Sequence, residues 1–150
     1  MPASIEVYNP MSAYNGAIKK LENSGIRATK QRRVLAKLIF DKGKRHISAE
    51  NLFDEVKKEE RKISMATVYN TLKQFTSLGL IREIVVDQNK SLYCNNNQSH
   101  YHLYIEDEGK VIDIPTKNID LDIPSIPACL QLHDIDVIAV SYTHLRAHET

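Results

Sequence analysis

The stretch that most constrains the fold is residues 64–80, SMATVYNTLKQFTSLGL. Ser64 suits a helix N-cap, because its hydroxyl can accept from the first unpaired helical N–H groups. Gly79 suits the stop, since it takes the left-handed conformation at no steric cost. Between them Val68, Leu72, Phe75 and Leu78 recur on one helical face and must enter a core. The opposite face carries Thr67, Asn70, Lys73 and Gln74, with Tyr69 at its border. It offers donors, acceptors, one positive charge and a phenol, and it has no carboxylate, which suits an anionic partner. Plain amphipathic surface helices show similar patterning, so the neighbouring elements must decide.

Ahead of this stretch the pattern predicts three more helices. Residues 12–24 place Ala17, Ile18 and Leu21 on one stripe, closed by Gly25. Thr29 caps a second helix to about Asp41, burying Val34, Leu35, Leu38 and Ile39. Ser48 caps a third, with Glu50 and Asn51 in its first turn and Leu52, Phe53 and Val56 inside. A charged linker, 57–62, follows. After Gly79 the period changes: 80–86 is rich in β-branched residues, Asp87-Gln88-Asn89 is turn chemistry, and 91–94 resumes a strand. Helices followed by a hairpin, with a polar last helix, describe a winged helix-turn-helix whose last helix enters the major groove.

Residues 95–99, NNNQS, form a polar hinge. Beyond it, 102–105 and 110–114 pair around Glu106-Asp107-Glu108-Gly109, prolines 115, 124 and 127 break up 115–128, and 135–140 adds a last strand. The expected class is α+β: a loose arm (1–11), a winged-helix domain (12–94), a hinge (95–99), and a small β-sheet domain for dimerisation and sensing (100–141). The end, 142–150, is read as non-native or disordered, and its His144 and His148 receive no role. A three-stranded sheet of this size is marginal alone, so a second copy of the chain is expected to cover it.

Charge separates the same two halves. Residues 1–87 hold 16 Lys/Arg against 10 Asp/Glu, and 88–150 hold 4 against 9, which hides behind a net charge of +1. A basic half beside an acidic one assigns a polyanion to the first. No apolar run approaches the roughly 20 residues of a membrane span, and the first residues lack the pattern of a signal peptide, so a cytoplasmic location is expected. Two cysteines, Cys94 and Cys129, make no Cys-x-x-Cys pair, which excludes a Cys₄ zinc site within one chain.

Two constellations carry chemistry. Thr67, Tyr69 and Asn70 sit in the first turns of the presumed recognition helix; Asn bonds adenine bidentately and a Tyr ring packs on a thymine methyl, which suits AT-rich double-stranded DNA. Arg27, Lys30, Arg32 and Arg33 would hold phosphates, with Lys73 a further contact. The second is His100-Tyr101-His102, whose two imidazoles share one side of a strand and can reach one metal. Such a pair is also an ordinary structural feature, though here it lies at a hinge beside Cys94 and before Asp113. His46 falls in the loop before the third helix.

Four segments carry a family resemblance: SGIRATKQR (24–32), RHISAENL (45–52), ATVYNTLKQF (66–75) and HYHL (100–103). Together, in this order, they resemble the ferric uptake regulator family over about residues 16–140. Tyr-Asn-Thr-Leu (69–72), Glu-Gly-Lys-Val-Ile-Asp-Ile-Pro (108–115) and the missing Cys-x-x-Cys are similar to its iron response group in α-proteobacteria. The resemblance implies a dimeric transcription regulator of iron homeostasis. It also implies a regulatory metal site joining the domains, whose histidines fall on His46, His100 and His102 and whose later carboxylate falls on Asp113. A strand carboxylate of that site falls on Cys94, a departure that favours softer binding, zinc or haem iron, over oxygen-rich Fe(II) ligation. A second site of the family would need carboxylate and histidine at Ser99 and Tyr101, and its structural zinc cysteines fall on Ile105 and Glu108, so neither is expected. The iron response group implies haem sensing, here through His100, His102 or Cys94, as the alternative to Fe²⁺, Mn²⁺ or Zn²⁺. In that group, binding of DNA when iron is scarce is expected.

Two other readings remain. A peroxide sensor or metal-activated repressor of the same family would use the same histidines, with Cys94 arguing against oxidation of a carboxylate-held Fe(II). A metal-dependent hydrolase would lack His-Glu-x-x-His, and it leaves the basic half unexplained.

Overall fold

The computed structural model describes residues 9–87, 90–96 and 98–143. Its internal contacts divide the chain into two compact units, residues 1–97 and 98–150. The expected arm lies outside the described residues up to position 8, as do the turn residues Gln88 and Asn89 and the tail from His144. Among the described residues no helix is long and apolar enough to cross a membrane.

The first unit runs α1 (Pro10–Asn23), α2 (Lys30–Phe40), β1 (His46–Ile47), α3 (Ala49–Lys58), α4 (Met65–Ser77), β2 (Arg82–Asp87) and β3 (Lys90–Cys94). Helix α1 begins at Pro10 rather than Ser12, because Asn9 is its cap and accepts from the Ser12 N–H at 3.2 Å. Thr29, Ser48 and Ser64 cap the next three helices as their sequences predict. Helix α4 ends in a double turn: Gly79 N–H bonds the Thr76 carbonyl and Leu80 N–H the Phe75 carbonyl. Gly79 sits at φ +73°, which L side chains avoid.

Helix α2 is central and touches α1, α3 and α4. Leu21, Leu35, Ile39, Leu52, Val56, Val68, Leu72 and Phe75 are all essentially inaccessible, and Phe40 and Phe75 meet ring to ring at 6.3 Å. Val34, Phe53 and Leu78, expected inside, are only partly buried. Phe53 stays at the edge, with the Lys57 ammonium 4.4 Å above its ring.

The hairpin forms as expected, but its sheet has a third strand. Strand order is β1-β3-β2, and β1 pairs antiparallel with β3, placing His46 opposite Cys94 and Ile47 opposite Tyr93. His46 therefore stands on a strand rather than in a loop. Asn95, assigned to the hinge, is buried instead. Its Nδ2 donates to the Ile39 and Gly43 carbonyls at 2.8 Å, and its Oδ1 accepts from Arg45 N–H at 2.8 Å, which ties the end of β3 to the segment that leads into β1.

The second unit is a sheet of order β5-β4-β6, from β4 (His100–Ile105), β5 (Lys110–Pro115) and β6 (Ile138–Ser141), with a short 3-10 turn at Thr116–Asn118. β4 and β5 are antiparallel around Gly109, and β6 runs parallel to β4. The last strand starts at Ile138 rather than Ile135. Asp134 captures the Ile135 N–H with its own carboxylate at 2.8 Å, a local bond that competes with the ladder. This is the α+β architecture expected: a winged helix followed by a small sheet.

Candidate DNA-binding face and metal centre

The first unit presents a polar concavity of about 600 Å³ whose lining includes Lys30, Arg32, Thr67, Asn70, Lys73 and Gln74. The start of α2 and the outer face of α4 build it together. Arg32 is fixed there: its Nε donates to Gln74 Oε1 at 3.1 Å and its Nη1 to the Arg27 carbonyl at 2.6 Å. Lys30, Asn70, Lys73 and Arg27 are exposed. Arg33 points elsewhere, donating to Glu22 at 3.1 Å and to the Ala28 carbonyl, so it is not part of this face. Three cationic side chains, Lys30, Arg32 and Lys73, around a helix face of hydroxyl and amide groups suit a phosphate backbone with base edges between, while Arg27 lies outside this lining, beside Arg33.

The absence of a carboxylate holds within α4 only. Glu50, in the first turn of α3, accepts the Tyr69 hydroxyl at 2.7 Å. That bond, with the residue's own N–H and the Ser48 hydroxyl, holds the Glu50 carboxyl below its usual range. The same bond pushes the Tyr69 phenol up. A contact between residues 19 apart on different helices leaves no periodic signal in the sequence.

The candidate metal ligands come in two sets, one in each unit. In the first, the directly opposed positions of His46 and Cys94 bring an imidazole nitrogen and the thiol sulfur within 4.8 Å of each other. Cys94 is buried, and its sulfur accepts the Asn96 N–H at 3.4 Å.

In the second unit, β4 alternates so that His100, His102 and Tyr104 face inward, where apolar residues would ordinarily sit. The register sets Asp113 directly opposite His102. The Nε2 atoms of His100 and His102 lie 3.4 and 3.8 Å from the same Asp113 oxygen. Each ring's other nitrogen is already engaged, His100 Nδ1 with the Gln98 carbonyl and His102 Nδ1 with Asp136 Oδ1 at 3.4 Å. An acceptor at Nδ1 places the proton there and leaves the Nε2 lone pair for a cation, which is how metal-binding histidines are oriented. Two imidazoles, each held at Nδ1 by an oxygen acceptor and converging on one carboxylate, fit a divalent ion. They do not fit a shared haem: axial imidazoles are held apart by the macrocycle, whereas these rings meet edge to face at 4.5 Å. Asp136 has no counterpart in the motif reading, because it lies 34 residues downstream of the ring it orients.

Known proteins share this fold. The profile of the Ferric uptake regulator family matches residues 23–138. Among curated relatives, the peroxide-responsive repressor PerR of Staphylococcus aureus strain Mu50 is 28% identical over 110 residues, covering 73% of this chain and 74% of its own length. Among solved structures, the Vibrio cholerae ferric uptake regulator (Fur) superposes with a TM-score of 0.65 at 22% identity, covering 83% of this chain and 98% of that one. A zinc-bound manganese uptake regulator superposes at 0.58 with 28% identity, covering 85% and 98%. The hydrolase reading falls with these matches, since the family consists of transcription regulators and not enzymes. The chain belongs to the ferric uptake regulator family of metal-responsive, DNA-binding transcription regulators.

Proposed function

We propose that this chain is a homodimeric, metal-responsive repressor whose divalent ion is held by His100, His102 and Asp113, with His46 and Cys94 as the further ligands that the family resemblance implies. The observation that carries the reading is the pair of inward-facing imidazoles whose Nδ1 atoms are both engaged by oxygen acceptors while their Nε2 atoms converge on Asp113. An ion held by these residues would favour one conformation of the chain over others and so would tune its affinity for DNA. Arg27, Lys30, Arg32 and Lys73 hold phosphates, while Thr67, Tyr69 and Asn70 read an AT-rich operator. A cytoplasmic location accompanies that partner.

Cys94 selects the ion. A thiolate beside imidazoles suits Zn²⁺, whereas Fe²⁺ and Mn²⁺ sites are richer in oxygen. The 28%-identical manganese uptake regulator is itself described as zinc-bound, which supports this choice. A second copy covers the sheet of the second unit. Among its described residues that unit buries a single hydrophobic side chain, Tyr104, while Ile112, Ile123, Leu130, Leu132 and Val140 are about half exposed or more. So little core does not stabilise a domain by itself.

Co²⁺, as a spectroscopic substitute for Zn²⁺, tests the ligand set. One ion per chain, with a thiolate-to-cobalt charge-transfer band that Cys94→Ser removes and excess Zn²⁺ displaces, is the expected result. Haem binding that leaves Co²⁺ uptake unnecessary for operator affinity would instead support the iron response reading. Operator release by peroxide, with an added oxygen on a peptide holding His46 or His100, would support the reading shared with the PerR relatives.

A further inference from the structure

The recognition helix does not present Tyr69 freely. Its hydroxyl is donated to Glu50 of α3, and Glu50 is itself anchored by its own N–H and by Ser48, the cap of that helix. Both side chains are exposed on the face that meets DNA in the reading above, on which this inference rests. A phenol has one proton to give, and here it is given. What this point of the face offers is the phenol's lone pairs, its ring and the Glu50 carboxylate, all acceptors or apolar surface.

The four bases differ in what they show to such a surface. In the major groove guanine offers O6 and N7, both acceptors; cytosine offers the N4 amino donor; adenine offers N7 and the N6 donor; thymine offers O4 and a methyl group. Acceptors facing acceptors have no proton to share, so guanine is left unpaired and repelled. Adenine and cytosine can donate, and the thymine methyl can pack on the ring.

We propose that Glu50 is a specificity-determining positioning residue: by taking the Tyr69 proton it makes this point of the interface an acceptor-only surface that rejects guanine on the facing strand. The Glu50–Tyr69 pair then contributes selectivity at one base pair in each half-site, and little to overall affinity.

Selection from a randomised double-stranded DNA library by the full-length Zn²⁺-loaded protein, followed by titration of the selected operator carrying each of the four bases at every position, tests this. Wild type is expected to reject guanine at one position of each half-site by roughly tenfold or more, the scale of a single base contact. Glu50→Gln supplies an amide donor and is expected to remove that rejection, with guanine becoming equal to or better than thymine there and other positions unchanged. Glu50→Ala, which frees the phenol to donate, is expected to move the same position in the same direction. Heat denaturation of both variants is expected to match wild type, because the side chain is exposed.

A variant base profile identical to wild type would overturn the proposal. So would an even gain in affinity for all sequences, which would reduce Glu50 to a general repulsion of phosphate. Failure of the underlying reading would look different: Asn70→Ala and Lys73→Ala would leave operator binding intact.

Discussion

His102 Nδ1 donates to the Asp136 carboxylate at 3.4 Å, across a gap of 34 residues in the chain. Asp136 is not among the candidate ligands, yet it sets which nitrogen of His102 faces Asp113. Asp136→Asn is expected to lower metal affinity by roughly 10- to 100-fold, the usual effect of removing an orienting carboxylate. Asp136 is partly exposed, so the secondary structure should persist. Competition against a chromophoric chelator, with circular dichroism as the fold control, measures both.

Cys94 is expected to separate soft from hard ions. Cys94→Ser should weaken Zn²⁺ by at least about tenfold while changing Mn²⁺ much less, because only the former gains from thiolate. Equal losses for both ions, read by the same competition, would return Cys94 to the role of a buried neighbour.

Asn95 tests the first unit's stability. Its side-chain amide serves the carbonyls of Ile39 and Gly43 and the N–H of Arg45, in a site 1% exposed. Asn95→Ala leaves those groups without their partner in a closed site. A loss of about 3 kcal/mol is expected, the scale of leaving more than one buried polar group unsatisfied. Denaturant titration of the metal-free protein, at unchanged m-value, reads it.

How much of this was legible in the chain follows the range of each interaction. Ser64, Gly79 and the Val68–Leu72–Phe75 stripe act within one helix, so spacing alone revealed them. His100 and His102 were found because strand alternation puts them on one side, whereas Asp113 came only from the family resemblance, and the register that sets it opposite His102 was not legible. His46 was misplaced in a loop, because a two-residue strand exists only through its partner Cys94, 48 positions away. Glu50 was read as a first-turn residue, which is true locally; its bond to Tyr69 depends on how α3 crosses α4. Asn95 looked like hinge composition, and burial reversed that reading. Polar residues that act across the fold carry no period.

Acid should weaken the first unit through Glu55. Burial raises its pKa, but Arg45 and Lys42, the latter at 2.7 Å, outweigh this and leave it lowered. A carboxyl with a depressed folded-state pKa contributes stability above the ordinary glutamate range, and that contribution is lost as pH falls through the folded value. Glu55→Gln should therefore destabilise at about pH 7, and the difference should shrink progressively as pH falls below the ordinary glutamate value of about 4.3. A pH-independent difference between the two proteins in urea titrations would contradict this.

The most direct test of the account is operator affinity of the purified protein, measured by fluorescence anisotropy on an AT-rich inverted repeat. The metal-free, Zn²⁺-loaded, Mn²⁺-loaded and haem-treated forms are compared, with His100→Ala/His102→Ala as control. The account predicts tight binding in the Zn²⁺ form, at least about tenfold weaker binding without metal, the scale of an ordinary coupling free energy, and a double variant indifferent to Zn²⁺. Equal affinity in all four states would contradict it, leaving a DNA-binding winged helix whose histidine cluster does not govern binding.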